Sequence, residues 1–198
     1  MRLILLILLM VSGLCRAQYS NHQLYLAYLE QDMSVWEAYI AATEWSDLTV
    51  EEKKQLLNYE YGFTAYALAY ETQKAGDILS RYEMHVRDAQ SILSKAEYLT
   101  HMAAVSTYRF SLEKKLRYAT SIYNYIKQAA EEEDDNPFVV EIMGNVEYYS
   151  PFGTKKKALQ YFQQADSLYT VRGKEYHQWN LQAVRQYIEQ IKSSKFKN

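Results

Sequence analysis

The chain has 198 residues, 48% apolar and 15% aromatic, with six glycines, two prolines and a formal net charge of −2. So few turn residues exclude an all-β sandwich or barrel. The apolar content excludes disorder, and the charge balance suggests neither a nucleic-acid binder nor a polybasic membrane anchor.

Met1-Arg2 opens the chain, Leu3 to Val11 is an unbroken apolar run, and Ser12-Gly13-Leu14-Cys15-Arg16-Ala17 closes it with small residues. This order predicts a secretory signal peptide over 1–17, cleaved after Ala17 to leave Gln18 as the mature start. The run falls short of the ~20 apolar residues a helix needs to cross a bilayer, so no integral membrane segment is expected in the mature chain. Cys15 leaves a lipoprotein signal open, although Leu14 stands where such a signal has a small residue. Under the first reading the one cysteine is lost and the mature chain forms no disulfide. Its charge becomes −4, with 20 basic against 24 acidic residues. The expected compartment is the periplasm or the surrounding medium.

Helical periodicity then runs from Asn21 to Lys192. Leu24 and Tyr28, followed by Val35, Tyr39 and Ala42, recur every three to four residues, with Ser34 and Glu37 spaced as a capping box. Thr49 and Glu52 form a second such box after a break at 47–50. Leu56, Tyr59, Phe63, Tyr66 and Tyr70 make one stripe down a helix expected to end near Gly76-Asp77. Ile78, Tyr82, Val86, Ala89 and Leu93 follow, then a helix from about Ala96 to Leu112, then Tyr118, Ile122, Ile126 and Ala129.

Glu131 to Asp135 is an acidic run, which predicts a helix end because acids oppose the negative pole of the macrodipole. A calcium loop needs alternating acids and a turn glycine, and the run has neither. Asn136 suits an N-cap and Pro137 the first helical position. Val140, Met143, Gly144 and Val146 form a short helix ending at Tyr148-Tyr149-Ser150-Pro151. Ala158, Phe162, Ala165 and Tyr169 mark its partner. Gly173 breaks the chain before a last helix with Leu181, Val184 and Ile188 on one face. Seven to nine helices with short connections are expected.

The segment 136–169 carries Gly144 on its first helix and Ala158, Phe162 and Ala165 on its second, so that small residues flank a large ring by one turn. It resembles a tetratricopeptide (TPR) repeat, with about two extra residues in the turn. Tyr82/Val86/Ala89 and Ile122/Ile126/Ala129 keep the spacing with altered residues. Trp36, Tyr61-Gly62, Asp135-Asn136-Pro137, Gly144, Tyr148-Tyr149-x-Pro151-Phe152-Gly153 and Trp179 follow the leader in order. With these features the chain resembles the secreted TPR-like proteins common in Bacteroidetes, whose turn is often longer than Phe152-Gly153-Thr154. The resemblance implies an all-α, right-handed superhelix of stacked antiparallel helix pairs over 18–198. It implies no reaction and no cofactor. It places a partner on the first helices of the pairs, at the concave face, which here carries Asn145, Tyr148, Tyr149, Tyr59 and Tyr66.

Chemistry-bearing motifs are scarce. His22, His85, His101 and His177 are never three to five residues apart, so no metal site is predicted and surface or capping roles are expected. No G-x-S-x-G and no glycine-rich phosphate loop is present, and no spacing selects a carboxylate pair among the 24 acids. Lys155-Lys156-Lys157 reads as a solvated face, with an acidic partner or anionic lipid as the sharper alternative. Twenty tyrosines are expected to fill helix seams with their hydroxyls at the rim, or to line a groove. The function expected is a non-catalytic exported adaptor binding a peptide segment or envelope protein. The alternative is a small-molecule or glycan carrier with a closed, tyrosine-lined pocket.

Overall fold

The computed structural model describes residues 19–70 and 72–194; the leader, its cleavage site and Cys15 lie outside them. The described residues form nine α-helices, two 3-10 turns and no strand. The helices are α1 (Asn21–Glu30), α2 (Ser34–Ala42), α3 (Val50–Tyr70), α4 (Thr72–Asp88), α5 (Lys95–Glu113), α6 (Leu116–Glu132), α7 (Pro137–Tyr149), α8 (Lys155–Arg172) and α9 (Gln178–Ser194). The 3-10 turns are Trp45–Asp47 and Glu175–His177. No helix among the described residues is long and apolar enough to cross a membrane.

Local chemistry explains most boundaries. Ahead of α3, the Thr49 hydroxyl accepts from the Glu52 amide at 3.3 Å while the Glu52 carboxylate accepts from the Thr49 amide at 2.8 Å. Ser94 and Glu97 make the same reciprocal pair before α5. Asn136 caps α7, its side chain accepting from the Phe138 amide at 3.0 Å, with Pro137 in the first turn where no amide is needed. The α6 helix stops at Glu132, inside the acidic run.

Two expected boundaries differ. Ser34 and Glu37 form no capping box: Met33 occupies the cap without a side-chain bond, and the Asp32 carboxylate takes both the hydroxyl and the amide of Ser34. Gln31, left-handed at φ 61°, turns the chain so that Asp32 reaches the helix first. The long third helix ends at Tyr70, and Gly76-Asp77 lie inside α4. Packing stops before the stripe does: Ala67 is buried, but Tyr70 is 76% exposed. Gly76 lies in open space, so nothing there demands a turn.

Consecutive helices pack as hairpins, α3 on α4, α5 on α6 and α7 on α8. The first helices also touch, α3 on α5 and α5 on α7, and α4 meets α5 as α6 meets α7. The α9 helix lies on α8 and reaches back to α1, while the turn before it touches α1 and α3. This return fills the face formed by the first helices. α3 is buried on all sides from Leu56 to Thr64, including Asn58 and Glu60. One core cluster runs from α1 to Trp179, and a second joins Val140, Ala158, Phe162, Ala165, Tyr169, Val184, Ile188 and Ile191.

Candidate functional site

The face that the repeat resemblance assigned to a partner is covered in part by the chain itself: Tyr59 is buried, Tyr66, Asn145 and Tyr148 are half-buried, and Tyr149 is exposed. Trp36 and Trp179 meet edge to face there, 5.3 Å between centroids. Tyr59 stands edge-on to Trp36 and Tyr39 and is 1% exposed, so it is corrected from a binding to a core residue. Asn145 is half-buried and donates to the Tyr61 hydroxyl at 3.3 Å, leaving its buried Oδ1 unpaired. Tyr66 is half-buried between Phe63 and Tyr70. Tyr148 packs on Tyr149, Phe162 and Tyr187. Tyr149 is 64% exposed, with its hydroxyl 2.7 Å from that of Tyr187. The structure brings Tyr148 and Tyr149 together at the end of α7 and buries Tyr59 elsewhere.

Beneath this face is a polar cluster that sequence reasoning missed. The Glu141 carboxylate accepts from Tyr61 Oη at 2.9 Å, Tyr169 Oη at 2.5 Å and Asn180 Nδ2 at 3.1 Å. Asn58 Nδ2 donates to Asn180 Oδ1 at 2.9 Å, and Trp179 Nε1 donates to Asn58 Oδ1 at 2.5 Å. The cluster ties α9 to α3, α7 and α8. Burial pushes the Glu141 carboxyl up to about 7, and the three donors only moderate the rise. The only sequence signal was an acid between Val140 and Ile142, at the centre of an apolar helix.

The histidines and tyrosines also differ from expectation. His85 and His101 are buried rather than superficial. His85 Nδ1 lies 3.0 Å from the Glu60 carboxylate, and its ring stacks on Trp45 at 4.5 Å. His101 Nδ1 is 2.6 Å from Tyr82 Oη, and burial depresses its pKa to about 3. His177 does cap, accepting from the Lys174 amide. The hydroxyls of Tyr61, Tyr82, Tyr108 and Tyr169 sit inside the protein on buried partners, not at a rim.

Two concavities among the described residues bear on function. A polar one of about 220 Å³ includes His101, His177, Lys54, Glu97 and Arg172 in its wall. Its cations are matched: Lys54 pairs with Glu97 at 2.8 Å and Arg172 with Asp135 at 2.5 Å. Both imidazoles are held neutral by burial, His177 down to about 4. Among the described residues no cluster of His, Cys, Asp or Glu could hold a metal ion.

The other is an open groove of about 420 Å³ between α6, α7 and α8. Ile126 and Ala130 on α6 and Met143 and Val146 on α7 contribute its apolar wall, and Tyr123 and Tyr161 bring rings to it. Tyr123 Oη is anchored to Ser150 Oγ at 2.5 Å. Lys127 and Glu131 also border the groove, 3.8 Å apart and largely solvated, a pairing worth little. This is not the closed, ring-lined pocket expected of a carrier: it opens to solvent, and much of its wall is aliphatic. Its volume falls in the range of small-molecule sites. The missed signal is a second stripe on α6, Tyr123–Ile126–Ala130, one residue beyond the core stripe Ile122–Ile126–Ala129. Together they make that helix's apolar face wider than its packing consumes.

No family model and no curated protein matches the chain. Among solved structures it is similar to the HusA haemophore from Porphyromonas gingivalis, at 18% identity and a TM-score of 0.57, over 88% of this chain and 85% of that one. The likeness is one of all-helical fold.

Proposed function

We propose that this chain is an exported, non-catalytic carrier that holds a flat, mostly apolar molecule of the porphyrin class in the groove between α6, α7 and α8. The observation that carries this reading is the unfilled apolar wall of Ile126, Ala130, Met143 and Val146 with Tyr123 and Tyr161 beside it. A planar macrocycle buries both faces, and such a groove offers aliphatic contact and aromatic edges together. Lys127 offers a cation for a carboxylate at the ligand's edge. Methionine and tyrosine are among the side chains that ligate haem iron. The similar solved structure is a haemophore by name, which supports a carrier over an adaptor. The filled face around Tyr59 and Trp179 argues the same way.

The scaffold belongs to the same proposal. The contact order α3–α5–α7 for first helices, with each second helix meeting the next first helix, supports a TPR-like stack; we take its right-handed sense and the preceding export signal from the sequence.

Titration with haemin, followed by difference absorbance, tests the carrier reading. Wild-type protein is expected to bind saturably, and Ala130→Phe, which fills the groove from a half-buried position, is expected to weaken binding about tenfold or more while circular dichroism is unchanged. Equal binding by both proteins would remove the groove as the site.

A further inference from the structure

The turn between α7 and α8 holds a phenyl ring in water beside three lysines. Phe152 is 90% exposed, more than any other large apolar side chain among the described residues. Tyr149, in the last turn of α7, is also exposed. The turn is pinned on both sides of the ring. Ser150 Oγ accepts the Phe152 amide at 3.2 Å, and the Ser150 carbonyl accepts the Gly153 amide at 3.1 Å. Gly153 lies so close to α7 that a Cβ would stand 2.1 Å from the Glu147 carbonyl oxygen. The Glu147 carboxylate also accepts the Thr154 amide at 3.0 Å. The backbone therefore holds Phe152 outward.

Lys155, Lys156 and Lys157 follow, all exposed. Of these three lysines only Lys157 has an acid of the described residues within ion-pair distance, Glu147 at 3.7 Å. Three cations in a first helical turn oppose the macrodipole, and Lys155 and Lys156 recover nothing from the fold.

We propose that this turn docks the protein on an anionic membrane surface. Phe152 and Tyr149 enter the boundary between headgroups and acyl chains, and Lys155 and Lys156 meet lipid phosphates. A bilayer fits better than a protein partner. The apolar element is two rings at one turn, far smaller than the roughly 800 Å² per partner that a stable protein interface buries. Aromatic tips flanked by lysines suit the membrane interface. The whole chain is net negative, so bulk charge would repel such a surface and any attraction must be local. Glu147 borders the cargo groove as well, which places the groove beside the docked turn.

Co-sedimentation with vesicles of phosphatidylglycerol and phosphatidylcholine, against phosphatidylcholine alone, tests the proposal. The protein is expected to partition onto the anionic vesicles and to be released by salt. Lys155→Glu/Lys156→Glu is expected to lower partitioning about tenfold or more, and Phe152→Ser to lower it several-fold, both with unchanged circular dichroism and thermal midpoint. Equal partitioning onto both vesicle types, no partitioning at all, or wild-type behaviour of either variant would overturn it. Haemin binding by these variants is expected to match wild type, so failure here is separable from failure of the carrier reading.

Discussion

The ring of Phe162 occupies the space a side chain at Gly144 would need: a Cβ there would stand 2.7 Å from Phe162 Cε1. Phe162 is fully buried, and its ring stacks on Tyr187 at 4.8 Å with 5° between planes. The ring has no free direction in which to retreat. Gly144→Ala gains about 1 kcal/mol of helix propensity but overpacks the seam at a cost of about 1–3 kcal/mol. A net loss of about 1 kcal/mol is expected in urea denaturation. Phe162→Leu opens space, so the double variant is expected to be more stable than the two losses summed, by about 1 kcal/mol. Additive losses would show that the two residues do not compete for one volume.

Gly62 is more tightly constrained. A Cβ there would lie 2.7 Å from Trp179 Cη2 and 2.8 Å from Trp36 Cζ3. Both indoles are held by their nitrogens, Trp179 on Asn58 and Trp36 on the Leu24 carbonyl at 2.7 Å. Gly62→Ala is therefore expected to cost more than Gly144→Ala, about 3 kcal/mol. Tryptophan emission would report it, shifting red if an indole is expelled toward water. An unchanged midpoint would mean that the indoles can move.

These two glycines show what a single sequence discloses. Gly144, Ala158, Phe162 and Ala165 could be read as one interlocking unit because small and large residues alternate at helical spacing within 25 residues. Asn136-Pro137 and Thr49/Glu52 were equally legible, since capping chemistry is local. The contact of Gly62 with Trp179 was not, because it joins residues 117 apart through the return of α9. That same return brings Trp179 onto Trp36 at the face where a partner was expected, while Tyr59 there is covered by Trp36 and Tyr39 of α2. The open groove was hidden for a related reason: Tyr123, Met143 and Tyr161 come from three helices, and each reads as ordinary core or surface until the three are brought together.

The cap of α5 carries more than one bond. Ser94 Oγ accepts the Glu97 amide at 3.1 Å, the Glu97 carboxylate accepts the Ser94 amide at 2.9 Å, and Lys54 Nζ reaches the same carboxylate at 2.8 Å. Ser94→Ala is expected to cost about 1 kcal/mol. Glu97→Gln keeps the reciprocal cap but loses the ion pair with a partly buried lysine, and is expected to cost no more than Ser94→Ala. Chemical denaturation of both variants measures the difference; a larger loss for Glu97→Gln would make the ion pair the main tie.

Glu141 makes stability fall as pH rises. Its carboxyl is raised by burial to about 7, whereas an unfolded chain releases that proton near its ordinary value of 4.5. Between these values the native state holds a proton that the unfolded state has lost. The contribution is fully present below the unfolded value and is lost as pH climbs through the folded one. The interval corresponds to about 3 kcal/mol. His101 and His177 act oppositely, since burial lowers them to about 3 and about 4 and their contribution is lost as pH falls below the ordinary histidine range. Subtracting wild type from Glu141→Gln cancels the histidines. The difference in unfolding free energy is expected to be flat below about pH 4.5 and to rise in favour of Gln by about 3 kcal/mol as pH passes 7. A difference independent of pH would mean that Glu141 titrates in the fold as it does in the unfolded chain, its donors offsetting burial, and a difference of opposite sign would mean that the donors outweigh burial.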